Sequence, residues 1–187
     1  MIVLVTAASK HGATGEIAAA IGRTLEQRGL TVDVMAPEEV SSVDGYDAVV
    51  LGSAIYAGHW LAAATELVER CSAELAGRPV WLFSSGAVGD PSRKLVQKMR
   101  ADPVDLPEIQ HATHAREHRL FAGRLEKKGL SRSERAVLAM MRSLEGDFRD
   151  WAEIEAWSQQ IAAALLQARL GPRGGNRARA AGLRLVR

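Results

Sequence analysis

The chain has 187 residues, 47% of them hydrophobic and 25% charged, which is ordinary composition for one compact domain with an appendage. No apolar run reaches the roughly 18 residues of a membrane-spanning helix, and no signal peptide is predicted, so we expect a cytoplasmic protein. The single cysteine, Cys71, excludes an internal disulfide and a thiolate metal cluster. Its spacing from Leu67 and Val68 predicts a buried helical thiol.

The net charge of +2 conceals a basic C-terminus. Residues 169–187 carry six arginines and no acid, which leaves 18 basic against 22 acidic residues upstream, or −4. Because this segment has few apolar residues, we expect a disordered tail that contacts nucleic acid or anionic lipid only nonspecifically. A specific nucleic-acid partner is therefore not expected.

Strand-like and helix-like segments alternate along the chain. Hydrophobic periodicity predicts strands at residues 2–5, 31–35, 46–51, 79–83 and 118–122, and helices at residues 13–28, 61–75, 91–100 and 150–170. Such alternation favours an α/β fold with a doubly wound parallel sheet, whose ligand crevice lies beyond the carboxyl ends of the strands. Residues 102–117 and an insertion at about 125–147 do not fit the alternation.

The loop from Thr6 to Gly15 joins the first strand to the first helix. The hydroxyls of Ser9 and Thr14, the turn at Gly12 and the amides of the helix N-terminus suit a bound phosphate. A hydroxyl-capped helix after an ordinary turn fits the same residues. The spacing matches neither a P-loop nor a dinucleotide fingerprint, and no Asp closes the third strand as in a phosphoacceptor receiver.

Two more loops would meet this one at the same edge of the sheet. Residues 52–60 follow the third strand and contain Tyr56 and Trp60, either of which can stack on a flat ring. Alternatively, Trp60 packs the second helix onto the sheet. Residues 84–91 follow the fourth strand and contain no aromatic residue, so one face of a bound ring would remain open to a partner or substrate.

The segment from Ser9 to Thr14 resembles the flavodoxin phosphate loop, [ST]-x-T-G-x-T, with His11 at the middle threonine. Residues 52–60 are similar, more specifically, to the loop of the flavodoxin-type, menaquinone-dependent protoporphyrinogen dehydrogenases. Residues 120–125 and the Asp150-Trp151 pair resemble that family's last strand and the start of its final helix. The resemblance covers residues 1–168.

This resemblance implies a flavodoxin-like doubly wound sheet of five parallel strands in the order 2-1-3-4-5, with helices on both faces and FMN as the cofactor. The implied domain comprises residues 1–168, with the insertion at about 125–147 and the basic tail at 169–187. The implied FMN contacts are Ser9, Lys10, His11, Gly12, Ala13 and Thr14 for the phosphate, and Ser53, Ala54, Ile55, Tyr56, Ala57, Gly58, Ser84, Ser85, Gly86 and Gly89 for the ring.

Members of this family pass electrons from a porphyrinogen through FMN to a quinone, so the resemblance implies an FMN-dependent oxidoreductase. It also implies a peripheral contact with the inner face of the membrane through the insertion, although the absence of Trp and Tyr there favours a protein partner equally. Two alternatives remain open: a small electron carrier, which a body charge near −4 suits poorly, and a flavin-free binding module, which His11 would favour.

The histidines supply no assigned catalytic residue. His11 and His59 are candidates for proton handling because they lie in the implied cofactor loops. Three others have a spacing that would align them on one helical face: His111, His114 and His118. Pro107 argues against a helix in that segment, so we predict no metal site.

Overall fold

The structure is a computed structural model and describes residues 1–87, 102–125 and 146–170. The strands of its main sheet are β1 (Ile2–Ala8), β2 (Thr31–Met35), β3 (Ala48–Tyr56), β4 (His59–Trp60), β5 (Val80–Ala87) and β6 (Glu117–Ala122). Five of them run parallel in the order β2-β1-β3-β5-β6, and β4 pairs antiparallel with the end of β3. When the parallel strands alone are counted, this is the predicted order 2-1-3-4-5, and the predicted fold class is confirmed.

Helices cover both faces of the sheet. They are α1 (Ala13–Gln27), α2 (Ala62–Arg70), α3 (Ser72–Ala76), α4 (Leu106–Thr113) and α5 (Trp151–Leu170), with a 3-10 turn at Pro37–Glu39. The buried residues of α1 and α5 belong to one hydrophobic cluster, and those of α2, α3 and α4 to the other. Because β1, β3 and β5 are buried on both faces, their sequences are almost continuously apolar.

An aromatic cluster joins the sheet to α5. The rings of Phe83, Phe121 and Trp157 lie 5.5–6.2 Å apart in tilted and edge-on arrangements, which favour aromatic pairs. Phe83 also covers Gly52 on the neighbouring strand, where an added Cβ would lie 2.2 Å from the phenyl ring. A glycine is therefore required at residue 52 for this ring to pack on the sheet.

Three strands extend further than predicted at their carboxyl ends. Hydrophobic runs end at Val5, Leu51 and Phe83, whereas the strands continue to Ala8, Tyr56 and Ala87. Apart from Ile55, the continuation consists of small and hydroxyl residues whose backbones still pair across the sheet, as in the register of Ser53 with Ser84. Residues 52–56 are therefore strand, and only residues 57 and 58 form the turn to β4.

Two predicted helical features are wrong. The helix predicted over residues 61–75 is broken at Cys71 into α2 and α3, although the thiol is buried as expected. Residues 106–113 form α4 despite Pro107, because a proline is tolerated in the first turn, where its missing N–H has no helical partner. Helix α5 ends at Leu170, as in the helix predicted over residues 150–170.

A short two-stranded ladder frames the insertion. Strand β7 (Arg124–Leu125) pairs antiparallel with β8 (Gly146–Asp147). The predicted helix at residues 91–100, the interior of the insertion and the tail after residue 170 lie outside the described residues, as does Gly89. Within the described ranges, no helix combines the length and hydropathy needed to cross a membrane.

Candidate functional site

Three loops meet where the parallel strands end. The register pairs Ala8 with Ser53 and Ala54 with Ser85, so the carboxyl ends of β1, β3 and β5 are adjacent. In a doubly wound sheet, this edge is where ligands bind, at the point where the strand order reverses. The structure thus brings the three predicted cofactor segments together at one edge.

Among the described residues, no side chain caps the N-terminus of α1. Gly12 occupies the cap position with φ 84°, and no side-chain cap hydrogen bond forms there within the described ranges. The first helical hydrogen bond runs from the Glu16 N–H to the Gly12 carbonyl at 2.9 Å. The hydroxyl-capped alternative is therefore wrong, and the first-turn amides with their helix dipole suit an anion.

The side chains of this loop divide into two groups. Lys10 and His11 are exposed and Ser9 is half-buried, so all three lie at the surface of the loop. Thr14 is only 2% exposed, which places its side chain in the interior. The contact of the Thr14 hydroxyl with a phosphate therefore stays a prediction, made from a side chain that packs beneath the loop surface.

Tyr56 connects this loop to the turn after β3. The Lys10 Nζ lies 4.8 Å from the centroid of the Tyr56 ring, a cation–π geometry. The His11 ring centroid lies 6.2 Å from the same ring. The turn that follows Tyr56 is formed by Ala57 at φ 50° and Gly58 at φ 86°. An aromatic side chain and a tight turn thus border the uncapped helix end.

Asp105 holds this turn from outside the sheet. Its Oδ2 accepts a 2.8 Å hydrogen bond from the Trp60 N–H, and its Oδ1 lies 2.6 Å from His59 Nδ1. The Val104 N–H also donates to the Gly58 carbonyl at 2.9 Å. Burial raises the pKa of Asp105, but the bonds from His59 and Trp60 outweigh it, and the pKa is lowered overall. Sequence reasoning missed Asp105, because no motif marks it.

Trp60 lies in the core, so its stacking role is wrong and the alternative packing role is confirmed. The side chain is buried, and its Nε1–H donates to Ser84 Oγ at 2.8 Å. Ser84 Oγ also lies 2.8 Å from His118 Nε2, and His118 Nδ1 lies 3.5 Å from Asp102. This chain of polar groups runs from the buried Trp60 and Ser84 side chains to the exposed carboxylate of Asp102 and connects β4, β5 and β6.

Several other predicted ring contacts have buried side chains. Ser53 Oγ accepts from the Leu61 N–H and donates to the Ala54 carbonyl, both at 2.9 Å. Like Ser84, it is fully buried, so its hydroxyl serves the fold. Gly86 lies against Ile55, where an added Cβ would come within 2.8 Å of the Ile55 Cβ. Backbone groups are therefore what this part of the edge presents.

The three spaced histidines do not converge. His111 lies in α4, His114 ends that helix in a left-handed conformation with φ 49°, and His118 lies in β6. Among the described residues, no group of three or more His, Cys, Asp or Glu side chains is arranged to hold a metal ion.

Solved flavodoxin structures share this fold at low sequence identity. A flavodoxin from the domain Archaea matches with a TM-score of 0.61 and 16% identity, over 89% of this chain and 100% of its own. A Streptococcus pneumonia TIGR4 flavodoxin matches with a TM-score of 0.57 and 20% identity, over 88% and 99%. The rubredoxin oxygen:oxidoreductase of Desulfovibrio gigas matches with a TM-score of 0.57 and 15% identity, over 91% of this chain but 37% of its own.

No curated protein sequence matches the chain. A family model described as a flavodoxin domain, in contrast, matches residues 4–151, which include the phosphate-loop segment, the β3–β4 turn and the start of α5. This match covers most of the chain and agrees with the strand order, the uncapped α1 and the shared fold of solved flavodoxins. The chain therefore belongs to the flavodoxin domain family.

Proposed function

We propose that the protein binds FMN at the carboxyl edge of its sheet and transfers electrons through it. The observation that carries this proposal is the juxtaposition of an uncapped helix N-terminus at Gly12 with the aromatic side chain of Tyr56. FMN has an anionic phosphate at one end and a flat ring at the other. The phosphate needs amide donors and the ring needs an aromatic neighbour, and this edge of the sheet supplies both.

The residues at this edge fit FMN. The first-turn amides of α1, the Ser9 hydroxyl and the Lys10 ammonium would bind the phosphate, since all are donors. Tyr56 would lie against the ring, and the backbone from Ala54 to Gly58 would contact its polar edge. Ser53 and Ser84 would hold the strands in place, because their hydroxyls are already bonded within the fold.

FMN, when bound, supplies the redox chemistry by accepting and passing on electrons. The protein's part is to orient the ring, limit its contact with water and hold nearby charge. Asp105 fixes the turn that would contact the ring by binding the Trp60 amide and the His59 side chain. His11, in the phosphate loop, and His59, in β4, are both exposed, which is compatible with the proton handling predicted for them.

For the substrate, we propose a porphyrinogen as the electron donor and a quinone as the acceptor. The support is the similarity of residues 52–60 to the protoporphyrinogen dehydrogenase loop, together with an insertion after β6 framed by β7 and β8. A small electron carrier is the second candidate, because the chain aligns with the entire length of an archaeal flavodoxin. Contact of the insertion with a protein partner or with the membrane is part of the porphyrinogen and quinone proposal, and not of the carrier proposal.

Flavin titration tests the binding proposal. The purified full-length protein is stripped of bound small molecules and titrated with FMN, and binding is followed by quenching of flavin fluorescence and by the visible absorbance of the ring. We expect saturation at one FMN per chain. If the fluorescence and absorbance of added FMN remain those of free FMN throughout the titration, the proposal is wrong and a flavin-free binding module remains.

Anaerobic turnover distinguishes the two redox roles. The FMN-loaded protein is mixed with protoporphyrinogen and menaquinone, and porphyrin fluorescence is recorded. Catalysed porphyrin formation that requires the quinone would support the dehydrogenase. Absence of turnover, combined with rapid reduction by a flavodoxin reductase, would support the carrier instead.

A further inference from the structure

We propose that Arg149 is a positioning residue for the cofactor phosphate, acting through Glu16 and the first turn of α1. This inference rests on the proposed binding of FMN. Arg149 lies two residues before the start of α5. Among the described residues, it contacts none of the predicted cofactor side chains, but it reaches the helix whose N-terminus would hold the phosphate.

Arg149 is almost completely enclosed. Its side chain is 2% exposed, and its guanidinium stacks on Trp151 with its carbon 4.4 Å from the ring centroid. Its Nη1 donates to Glu16 Oε2 at 2.7 Å and to the Ala13 carbonyl at 3.2 Å. Its Nε and Nη2 donate to the two carboxylate oxygens of Asp147 at 2.8 and 2.6 Å. Together, these contacts fix the orientation of the guanidinium so that one of its nitrogens donates to α1.

Arg124 completes the arrangement around Glu16. Its Nη2 and Nη1 donate to Glu16 Oε1 and Oε2 at 2.9 and 3.2 Å. The hydrogen bond from Arg149 is the main cause that lowers the pKa of Glu16, which burial opposes and Arg124 reinforces. Within the part of the chain that the structure describes, these two guanidinium groups and the carboxylates of Glu16 and Asp147 balance each other in charge.

This neutrality matters because Glu16 lies in the first turn of α1. An uncompensated carboxylate there would repel the phosphate from the amides of the same turn. Arg149 removes that repulsion and holds the Ala13 carbonyl, so the turn stays aligned before the cofactor arrives. Its effect should therefore depend on the phosphate and not on the flavin ring.

The cluster is assembled by the chain on either side of the insertion. Arg124 and Asp147 lie directly opposite each other in the β7–β8 ladder, and the Phe148 N–H donates to the Gly123 carbonyl at 3.2 Å. Glu16 and Arg149 are 133 residues apart in sequence. The first turn of α1 is thus held by residues that lie far in sequence from the phosphate-loop motif at residues 9–14.

The experiment compares FMN with riboflavin, which has the same ring but no phosphate. We expect Arg149→Met to raise the Kd for FMN on the order of tenfold while changing the Kd for riboflavin less than about twofold. Arg124→Met, which removes the more exposed partner of Glu16, should change FMN affinity in the same direction by less. It provides the test if Arg149→Met does not fold, as judged by circular dichroism.

Arg119→Met is the matched control. Arg119 forms ion pairs with Glu117 and Glu153 on β6 and α5, so the charge change is the same but Glu16 is untouched. We expect its affinities for both flavins to equal those of the wild type. In a Glu16→Gln background, removal of Arg149 should cost less FMN affinity, because the repelling charge is absent.

Three results would overturn the inference. The first is that Arg149→Met and Arg124→Met both bind FMN as tightly as the wild type. The second is that Arg149→Met loses FMN and riboflavin affinity equally, which would indicate a general structural role. Either result would overturn the inference about Arg149 and leave the proposed FMN binding intact. A wild-type protein that does not bind FMN would overturn the proposed function and this inference together.

Discussion

The Nε1–H of Trp60 donates to the buried hydroxyl of Ser84 at 2.8 Å, so the larger of the two loop aromatics serves the fold and Tyr56 remains for the ligand. Trp60→Phe should lower the free energy of unfolding by about 2 kcal/mol, because a buried hydrogen bond is lost and a small cavity forms. FMN affinity should change little. Chemical denaturation and flavin titration measure the two effects.

Tyr56 is expected to behave in the opposite way. Tyr56→Ala should raise the Kd for FMN about tenfold by removing the ring contact, whereas Tyr56→Phe should keep the affinity within about twofold. Both variants should unfold close to the wild-type midpoint, since this side chain lies at the edge of the core. A strong loss of FMN binding in Trp60→Phe with none in Tyr56→Ala would reverse these roles.

Gly12 and Gly29 form a natural matched pair at the two ends of α1. Both have φ +84°, and an added Cβ at either position would meet no atom within 4 Å. Substitution by alanine should therefore cost each about 1 kcal/mol of backbone strain and no steric clash. Only Gly12→Ala should weaken FMN binding, because only Gly12 sets the direction of the first-turn amides. Equal FMN affinities in the two variants would contradict the phosphate site.

His118 should make stability depend on pH. Burial lowers the pKa of His118 below its ordinary 6.5, and the nearby Asp102 carboxylate opposes the shift only in part. The unfolded chain thus binds a proton at a higher pH than the folded chain. The stability contribution is complete above pH 6.5 and is lost as the pH falls toward the depressed pKa.

Denaturation of the wild type and of His118→Gln between pH 5 and 8 checks this prediction. The wild type should lose free energy of unfolding on acidification below about 6.5 more steeply than the variant. Because the other histidines are common to both proteins, the difference isolates His118. Parallel pH profiles would show that its protonation is not coupled to folding.

Removal of the insertion should spare the cofactor site. Leu125 and Gly146 lie opposite each other in the β7–β8 ladder, so a two-residue Asn-Gly turn can replace residues 126–145. FMN affinity should match that of the wild type, since Arg124, Asp147 and Arg149 remain. Porphyrinogen-dependent quinone reduction should fall if the insertion serves that reaction. A loss of FMN binding would place residues 126–145 in the cofactor site.

The fold class could be predicted from the sequence, but the ends of the strands could not. Apolar runs such as residues 46–51, separated by helical periodicity, predicted the α/β class and a parallel sheet, because a strand buried on both faces must be apolar. The strand order was predicted only through the resemblance of contiguous motifs to flavodoxins. The strand ends escaped prediction, since Ser53 and Ser84 are polar. Their pairing depends on neighbouring strands and on hydrogen bonds within the core.

By itself, the sequence determined the fold class, the three segments that meet at the sheet edge and the flavodoxin family, without its subtype. These follow from local periodicity and contiguous motifs. Only the tertiary structure decided that Trp60 is buried, that Asp105 holds the β3–β4 turn and that Arg149 neutralises Glu16. The physical reason is that burial and charge compensation depend on groups distant in sequence, and a single arginine before a helix carries no sign of the carboxylate that it will meet.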